Sequence, residues 1–541
     1  MVAGSGYWRF FLWSFFLNPF FLCALDLPAK EGAKEVKNLL VIMADQMRFD
    51  ALGAASNDIV KTPHLDRLAR EGVFFEKAYT PVPVCAPARA GVLTGQSIEN
   101  NGIFSNGEAY EPSAFKGSES FDTLLAKAGY RTAYYGKWHS PQVLAARYEN
   151  LPDYHVTSTS NHAGMGVGMR RHYLHFLEKN DYPSYSFKDE ALLPQGQLLD
   201  SFSSQPYVLN IMDTKYGLSK KKAKKIGRTD QGEVHGTLLI EKEHSITALE
   251  AKGVMSAIDR FAKEPFSLTV SFHYPHPPFT PSEPYASMFD PDDMVLPPNF
   301  KDKMVGSAYK DSNKRAERKQ FRDPKKVKQF IATYYGLVKE VDDWVGEILA
   351  KLDEHKIADK TLVVFLSDHG EMLGSHGMYG KNMFYEESVR VPFIMRLPGE
   401  IPKKTRVSDP VSTRDIFATV MDFLGQPIPL NLDSKSLRGL IMGEEKRAFA
   451  IAQWRDTPKI PNFMVVGKKW KLLMSKFPGG KSVDALYNLE EDPYEMENLL
   501  AKKALSDSEK EAAMVLKGYL LSWLESAGPS SIAGVKERKL F

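Results

Sequence analysis

Cysteine is scarce in this sequence: only Cys23 and Cys85 occur among its 541 residues. Cys23 lies in the apolar run over residues 10–24, which predicts a signal peptide spanning residues 1–24. Cleavage near Ala24 would leave Cys85 as the single thiol, which excludes an intramolecular disulfide. We therefore expect an exported protein, whether periplasmic, secreted or lumenal; an uncleaved N-terminal anchor is the alternative.

Long apolar runs and an excess of charge are also lacking. Beyond residues 10–24 no window resembles a transmembrane span, so we expect no stable membrane span. The 70 basic and 67 acidic residues leave a formal net charge of +3, which gives the chain no strong attraction to nucleic acid. Basic residues do cluster at 219–228 and 314–328, either as a solvated surface or as a rim that attracts a polyanionic glycan.

Four short apolar runs predict buried β-strands, at residues 38–44, 131–135, 266–272 and 361–366. Helical patterns lie between them, for example over residues 331–352. This alternation predicts an α/β fold with a large mixed, mostly parallel sheet that is flanked by helices.

The pattern changes after about residue 430, where short strands replace the alternation. We predict strands at residues 449–453, 463–467 and 470–474, followed by a helix at residues 512–524. The sequence therefore predicts a large domain over residues 36–430 and a smaller C-terminal α+β domain over residues 431–541.

Each of the four predicted strands is followed by polar residues that can carry chemistry. They are Asp45 and Gln46, Lys137 and His139, His273 and His276, and Asp368 and His369. Because ligands bind beyond the carboxyl ends of parallel strands, four such endings favour one shared site. The two acids offer oxygen ligands for a divalent cation, Gln46 a carbonyl oxygen and His369 a nitrogen. A helix N-cap is the alternative role of Asp368.

The remaining thiol lies in the segment VCAPARAGVLTG, residues 84–95. Pro87 sets a turn and the residues after it favour a helix, so we expect Cys85 near a helix N-terminus, where anions are favoured. Arg89 lies one helical turn along and faces back towards Cys85. Chemistry alone favours a reactive thiolate, and the alternative is a buried cysteine that packs as a small hydrophobe.

These residues resemble a known family. Cys85-Ala86-Pro87-Ala88-Arg89, followed by Leu93-Thr94-Gly95, is similar to the sulfatase signature Cys-x-Pro-x-Arg…Thr-Gly. Other parts of the family pattern are Asp45, Gly136-Lys137-Trp138-His139, Pro275-His276, Asp368-His369-Gly370 and Lys381. The resemblance runs to the segments Leu486-Tyr487-Asn488-Leu489 and Asp492-Pro493, and it implies an alkaline-phosphatase-like fold.

The resemblance implies a specific chemistry. A formylglycine-generating enzyme would oxidise Cys85 to formylglycine, whose hydrate attacks the sulfur of a sulfate ester and expels the alcohol. One divalent cation would be held by Asp45, Gln46, Cys85, Asp368 and His369. Arg89 and Lys137 would stabilise the hydrate and the developing charge. His139 would take the proton that lets the hydrate collapse, while His276 and Lys381 would bind sulfate and assist departure of the alkoxide.

The sequence departs from the family pattern at two metal positions. Gln46 stands where many sulfatases have a second acid, and His369 stands where many have asparagine. Calcium prefers six to eight oxygen ligands, so a nitrogen ligand weakens the case for Ca²⁺ over Mn²⁺ or another divalent cation such as Mg²⁺. Ca²⁺ is nevertheless the cation that the resemblance implies.

The expected function is hydrolysis of sulfuric esters, on a sulfated carbohydrate or a small sulfate ester. Two alternatives stay open. The Asp-Gln…Asp-His arrangement also looks like that of phosphonate monoester hydrolases and choline sulfatases, so a phosphonate monoester or phosphodiester could be the substrate. A catalytically silent glycan-binding homologue would keep Cys85 unmodified. Five aromatic residues are either platforms for sugar rings or part of the core: Tyr274, Phe279, Tyr379, Phe384 and Tyr385.

Overall fold

The structure is a computed structural model. It describes residues 38–141, 143–144, 155–158, 237, 241–277, 279–307, 309–310, 319–455, 461–476 and 482–541. The expected signal peptide over residues 1–24 and the basic segment 219–228 lie outside the described residues. Of the second basic segment, residues 319–328 are described.

The described residues form three β-sheets. In chain order the strands are β1 (Asn38–Ala44), β2 (Val73–Phe75), β3 (Ala78–Tyr79), β4 (Arg131–Gly136), β5 (His155–Ser158), β6 (Phe266–Phe272), β7 (Thr361–Ser367), β8 (Phe393–Arg396), β9 (Thr405–Val407), β10 (Val411–Ser412), β11 (Ala450–Arg455), β12 (Pro461–Val466), β13 (Trp470–Lys476) and β14 (Ser482–Asn488). The large sheet has the order β5-β4-β6-β1-β7-β8-β2-β9. A two-stranded sheet pairs β10 with β3, and a four-stranded sheet has the order β11-β12-β13-β14.

The four strands predicted from their apolar runs are neighbours at the centre of the large sheet. Strands β4, β6, β1 and β7 are parallel and in register, with Ala44 opposite both Phe272 and Ser367. Strand β8 runs antiparallel to β7 and β2, which makes the sheet mixed. The predicted fold class is confirmed, and the polar residues after the four strands emerge at one edge.

Helices cover both faces of this sheet. They are α1 (Pro63–Glu71), α2 (Cys85–Thr94), α3 (Ile98–Asn101), α4 (Phe121–Lys127), α5 (Ile246–Phe261), α6 (Pro324–Glu354), α7 (Glu386–Val389), α8 (Ile416–Phe423), α9 (Arg438–Ile441), α10 (Asp507–Ala527) and α11 (Ile532–Glu537). Alternate residues of β1 point to opposite faces, as a pleated strand requires. Leu40 and Ile42 pack in a core with α1, α5 and α6, whereas Leu39 and Val41 pack in a core with α2, α4 and α8.

The four-stranded sheet near the C-terminus is antiparallel throughout. One face packs against α10 through residues such as Leu472 and Leu520. The other face shares a core with the segment after β7, where Leu473 joins Phe384 and Tyr385. The predicted α+β character of this region is confirmed, and β14 is a strand that the sequence did not indicate. The division at residues 430 and 431 stays a prediction.

Among the described residues, no helix has both the length and the apolar character that crossing a membrane requires.

Candidate active site

Cys85 occupies the first position of α2, where the predicted helix begins. Every residue of this helix is buried, and Cys85 itself is only 1% exposed. The helix ends at Gly95, whose φ of 66° is the left-handed conformation that glycine adopts without strain. The thiol is therefore fixed at the start of a rigid, fully packed element.

Three of the predicted residues surround the sulfur. The Sγ atom of Cys85 lies 3.0 Å from Nε2 of His369 and 4.0 Å from Oδ1 of Asp45. The same His369 nitrogen is 3.7 Å from Oδ1 of Asp45 and 3.7 Å from Oδ1 of Asp368. One ligand atom from each of these four residues lies within 4.8 Å of the other three, and all four residues are buried. The residues that follow β1 and β7 thus meet at the start of α2.

The tautomer of His369 suits metal binding. Its Nδ1 atom lies 3.0 Å from the carbonyl oxygen of Gly370, which can only accept a hydrogen bond. The proton is therefore on Nδ1, and Nε2 presents its lone pair to the centre of the cluster.

The two carboxylates respond differently to their surroundings. Burial alone would raise the pKa of Asp45, but Lys137, His276 and Lys381 hold it well below its ordinary value. Burial and the neighbouring Asp45 charge raise the pKa of Asp368 above its ordinary value, although His369 and Arg89 oppose this. Two carboxylates and an imidazole lone pair around one point form a donor set that fits a divalent cation.

The cations near Cys85 favour an anion at its side-chain position. Burial would raise the pKa of the Cys85 thiol, but Lys137, Lys381 and His369 hold it well below its usual range. The Lys137 ammonium contacts Oδ2 of Asp45, and both side chains are inaccessible to solvent. The site therefore stabilises negative charge where the nucleophile would stand.

Gln46 is beside the four-residue cluster and bridges two other groups. Its Oε1 atom accepts a hydrogen bond of 2.6 Å from Nζ of Lys381, and its Nε2 atom donates to Oε2 of Glu371. Its backbone N–H donates to Oδ1 of Asp368 over 3.0 Å. The predicted ligand oxygen of Gln46 thus binds Lys381 in this structure, and its role at the metal stays a prediction.

Arg89 hydrogen-bonds to residues at or directly after the ends of strands β4, β6 and β7. Its Nε atom donates to Oδ2 of Asp368 over 2.8 Å, and its Nη1 atom donates to Oγ of Ser271 and to the carbonyl oxygen of Lys137. Its Nη2 atom is buried and has no hydrogen-bond partner among the described residues. Arg89 thus has one N–H group left for a ligand, as its predicted role in stabilising charge requires.

The two remaining predicted histidines approach the thiol from other elements. His139 is buried in the loop after β4 and helps to lower the pKa of Cys85. Gly136 precedes it with a φ of 92°, and a Cβ atom there would lie 2.0 Å from the carbonyl oxygen of Ser271. His276 Nδ1 lies 2.7 Å from the carbonyl oxygen of Pro277, and burial, with Lys381, lowers the pKa of this histidine to about 4. All the predicted site residues therefore converge on Cys85.

The residues that support this site were not predicted from the sequence. Glu250 on α5 is buried, and its carboxylate accepts from the backbone N–H of His273 and lies 2.6 Å from Nδ1 of that residue. The N–H of His276 donates to the carbonyl oxygen of His273 over 3.1 Å, so Glu250 anchors the turn that carries His276. Glu371 likewise accepts a hydrogen bond from Nε2 of Gln46 and so holds the Gln46 side chain. A partner far away in the sequence leaves no local pattern.

The aromatic residues considered as sugar platforms belong to the core. All five are at most 6% exposed: Tyr274, Phe279, Tyr379, Phe384 and Tyr385. The alternative that Asp368 caps a helix is wrong, because no helix starts at the residues after it: residues 368–374 are non-helical, and the short 3-10 helix Ser375–Gly377 has Gly374 at its N-cap.

Comparisons with known proteins agree with this site. A sequence model of the family described as sulfatase matches residues 37–426, and one described as N-sulphoglucosamine sulphohydrolase, C-terminal, matches residues 374–518. An arylsulfatase of Clostridium perfringens is 30% identical over 514 residues, which cover 90% of this chain and 94% of that protein. An N-acetylglucosamine-6-O-sulfatase of Bacteroides thetaiotaomicron is 25% identical over 530 residues, which cover 91% and 87%.

A solved structure shows the same fold. The phosphonate monoester hydrolase of Silicibacter pomeroyi superposes with a TM-score of 0.71 at 23% identity, covering 91% of this chain and 96% of that one. A buried nucleophile position between carboxylates and cations, at the carboxyl edge of such a sheet, defines a hydrolase of the alkaline-phosphatase-like superfamily. Within it, the chain belongs to the sulfatase family and is a sulfuric ester hydrolase. That family is metal-dependent and uses a formylglycine derived from cysteine.

Proposed function

We propose that this sulfatase removes sulfate from sulfated carbohydrates, with formylglycine at position 85 and one divalent cation. The observation that carries the proposal is the convergence of Asp45, Lys137, His369 and Lys381 on the buried Cys85 side chain at the start of α2. The carbohydrate part is supported by the Bacteroides relative, whose name specifies an N-acetylglucosamine 6-O-sulfate.

Asp45, Asp368 and His369 would hold the cation, with the position-85 side chain as a further ligand and Gln46 beside it. When bound, the cation supplies positive charge to a sulfate oxygen, and formylglycine supplies a hydrated aldehyde as the nucleophile. We propose Ca²⁺, with Mn²⁺ or Mg²⁺ as alternatives; of the three, the His369 nitrogen suits Mn²⁺ best.

The side chains of the protein account for the remaining steps. Lys137 and Arg89 stabilise negative charge at the nucleophile, because both are buried beside it. His139 is placed to accept the proton that releases sulfate. Lys381 and His276 lie on other segments of the chain and face the side chain at position 85 as well. An arriving sulfate would favour the protonated form of His276, which could then donate a proton to the departing alkoxide.

Formation of formylglycine requires a formylglycine-generating enzyme. We propose that the chain meets this enzyme on an export pathway, which the apolar run at residues 10–24 supports.

A substrate panel tests the proposal. Protein co-expressed with a formylglycine-generating enzyme would be assayed on sulfated monosaccharides, sulfated polysaccharides, an aryl sulfate and a phenylphosphonate monoester. We expect sulfated sugars to have the highest kcat/KM. Faster hydrolysis of the phosphonate would instead support the phosphonate hydrolase. An unmodified Cys85 together with no hydrolysis of any of these esters would support the silent homologue.

Metal removal tests the second part of the proposal. Dialysis against a chelator should abolish turnover, and Ca²⁺, Mn²⁺ or Mg²⁺ added singly should identify the cation that restores it. Metal content, measured before and after dialysis, should follow activity at one ion per chain. Full activity in protein without metal would contradict the proposal.

A further inference from the structure

A second cavity, of about 510 Å³, lies between the start of α8 and the C-terminal sheet. Its lining includes Arg414, Asp415, Lys435, Arg447 and Trp523. None of these residues belongs to the cluster around Cys85.

Arg414 is the unusual member of this lining. It is 5% exposed, and its buried Nε atom has no hydrogen-bond partner among the residues that the structure describes. The guanidinium carbon lies 5.4 Å from the ring centre of Trp523. A buried N–H donor without a partner is unfavourable, and a cation just before the N-terminus of α8 is repelled by the helix dipole as well. Both effects would be relieved by an anion in the cavity.

The acidic residues that line the cavity have other partners or lie at its exposed rim. Asp415 accepts from the backbone N–H of Lys435 over 3.0 Å and from Nη1 of Arg447 over 3.4 Å. Asp433 accepts from the backbone N–H of Ser97 and from the side chain of Asn100. The third acid, Glu445, is exposed. The cations that also line the cavity are Arg447, Lys435 and Lys446.

The cavity is separate from the active site but touches the same helix. The backbone N–H of Asp433 donates to the carbonyl oxygen of Gly95 over 3.1 Å, directly after the last residue of α2. Cys85 is at the opposite end of that helix, and ten helical residues span about 15 Å. A ligand in this cavity would therefore not reach the nucleophile.

We infer that this cavity is an ancillary oxyanion site, which binds a sulfate group on its own or on a carbohydrate. The planar guanidinium of Arg414 presents several N–H donors to a tetrahedral oxyanion, and Trp523 supplies an apolar wall beside it. Lys435 and Lys446 at the exposed rim would attract further negative charge on a polymer. Binding here is non-covalent and adds to the catalytic site.

Titration calorimetry of Arg414→Gln tests the site. Sodium sulfate and a sulfated tetrasaccharide would be titrated into wild type, Arg414→Gln and Lys503→Gln, with the unsulfated tetrasaccharide as a control ligand. Lys503 is exposed outside the cavity, so its variant loses the same charge without touching the site. We expect two sites in wild type and in Lys503→Gln. In Arg414→Gln the second site should weaken by about tenfold or more, as the loss of a charge-assisted hydrogen bond predicts.

The two titrants separate the sources of the anion. A second site for sodium sulfate indicates a site for the free ion, and one for the tetrasaccharide alone indicates a carbohydrate subsite; each must depend on Arg414. Hydrolysis of a small aryl sulfate by Arg414→Gln should stay within about twofold of wild type, because the cavity does not contact the nucleophile. Equal binding of both titrants by wild type and Arg414→Gln would overturn the inference.

A measurement on the wild-type protein keeps the test independent of variant folding. Crystals soaked in sodium selenate should give an anomalous peak beside the Arg414 guanidinium as well as one in the active site. A selenate peak in the active site alone, with no density for the sulfated tetrasaccharide beside Arg414 in a parallel soak, would overturn the inference.

Discussion

Two buried groups of charged residues in this sulfatase are organised in opposite ways. Around Cys85, the cations Lys137 and Lys381 converge on one point, together with His276 and Asp45. In the C-terminal sheet, the Lys471 ammonium lies 2.9 Å from Oε1 of Glu386 and 2.8 Å from Oε1 of Glu495. We call the first the open group, because its charges all face one point, and the second the closed group, because its charges pair with one another.

Two further hydrogen bonds support the closed group. Oε2 of Glu495 accepts from the backbone N–H of Glu386 over 2.6 Å, and the Tyr79 hydroxyl donates to Oε2 of Glu386 over 3.2 Å. Lys471 on β13 is thereby tied to the start of α7, a few residues after Lys381. In this comparison, buried charges that pair with one another contribute to stability. Buried charges that all face one point instead indicate a site for a ligand. Each prediction below perturbs one side of this comparison.

The largest effect is expected at the focus of the open group. Cys85→Ala removes the precursor of the nucleophile, so turnover should fall by on the order of 10⁴-fold or more. The free energy of unfolding should change by only about 1 kcal/mol, because a small buried side chain is replaced by a smaller one. Steady-state kinetics and denaturant unfolding measure the two effects. Substantial remaining turnover would refute the proposed nucleophile.

A substitution in the closed group should lower the stability of the protein and leave its turnover unchanged. Lys471→Met leaves two glutamates buried without their cation and should lower the free energy of unfolding by about 3–5 kcal/mol. The matched control is Lys469→Met, since Lys469 is partly exposed and pairs only with surface acids; its cost should be below about 1 kcal/mol. The kcat of the folded fraction should stay near that of wild type. Equal stability of the two variants would show that the closed group contributes little.

A smaller effect on activity is expected where a buried carboxylate positions the open group. Glu250→Gln removes the charge that holds the His273 ring and the turn leading to His276, so kcat should fall by roughly tenfold to a hundredfold. Glu250→Asp should recover part of the rate by restoring the charge. Asp259→Asn, on the exposed side of the same helix, serves as the control. A rise in KM with unchanged kcat would argue against a positioning role.

The smallest effect is expected at Glu340, a buried carboxyl that has no oppositely charged partner among the described residues. Burial, with Glu250 and Asp343 adding to it, raises the pKa of Glu340 to about 8 from an ordinary 4.5. The folded chain therefore keeps a proton that the unfolded chain releases. The resulting stabilisation is complete below about pH 4.5 and is lost as the pH rises towards 8.

Glu340→Gln carries no such proton and should remove this decline. Relative to wild type, the variant should gain up to about 1.4 kcal/mol per pH unit between pH 5 and pH 8. Denaturant unfolding at several pH values measures the slope, and Glu347→Gln, exposed on the same helix, should leave it unchanged. Parallel slopes for wild type and Glu340→Gln would show that Glu340 is ionised throughout.

Local pattern was sufficient to predict the centre of the fold and the polar residues that follow its four strands, whereas Lys381 entered only through the family resemblance. The strands that carry Asp45, Lys137, His276 and Asp368 are continuous apolar runs, and strands buried on both faces have that signature. The helix after Cys85 follows from its composition. Strand β14 was missed because Ser482–Asn488 contains Asp484 and lacks a clear alternation.

The supporting contacts depend on tertiary proximity, which no local pattern encodes. Glu250 meets His273 across 23 residues, and Lys471 meets Glu386 across 85 residues. The unpaired Nε atom of Arg414 is likewise visible only when the whole surrounding is assembled. Sequence reasoning thus found the groups that face a ligand and missed those that hold them in place.

The central claim is that the convergent charges serve a nucleophile made from Cys85. Protein co-expressed with a formylglycine-generating enzyme can be digested, and the peptide that contains position 85 can be identified by mass spectrometry, in parallel with sulfatase assays. The account predicts that turnover rises in proportion to the fraction of peptide carrying formylglycine. Full activity in protein whose peptide carries only unmodified cysteine would contradict it.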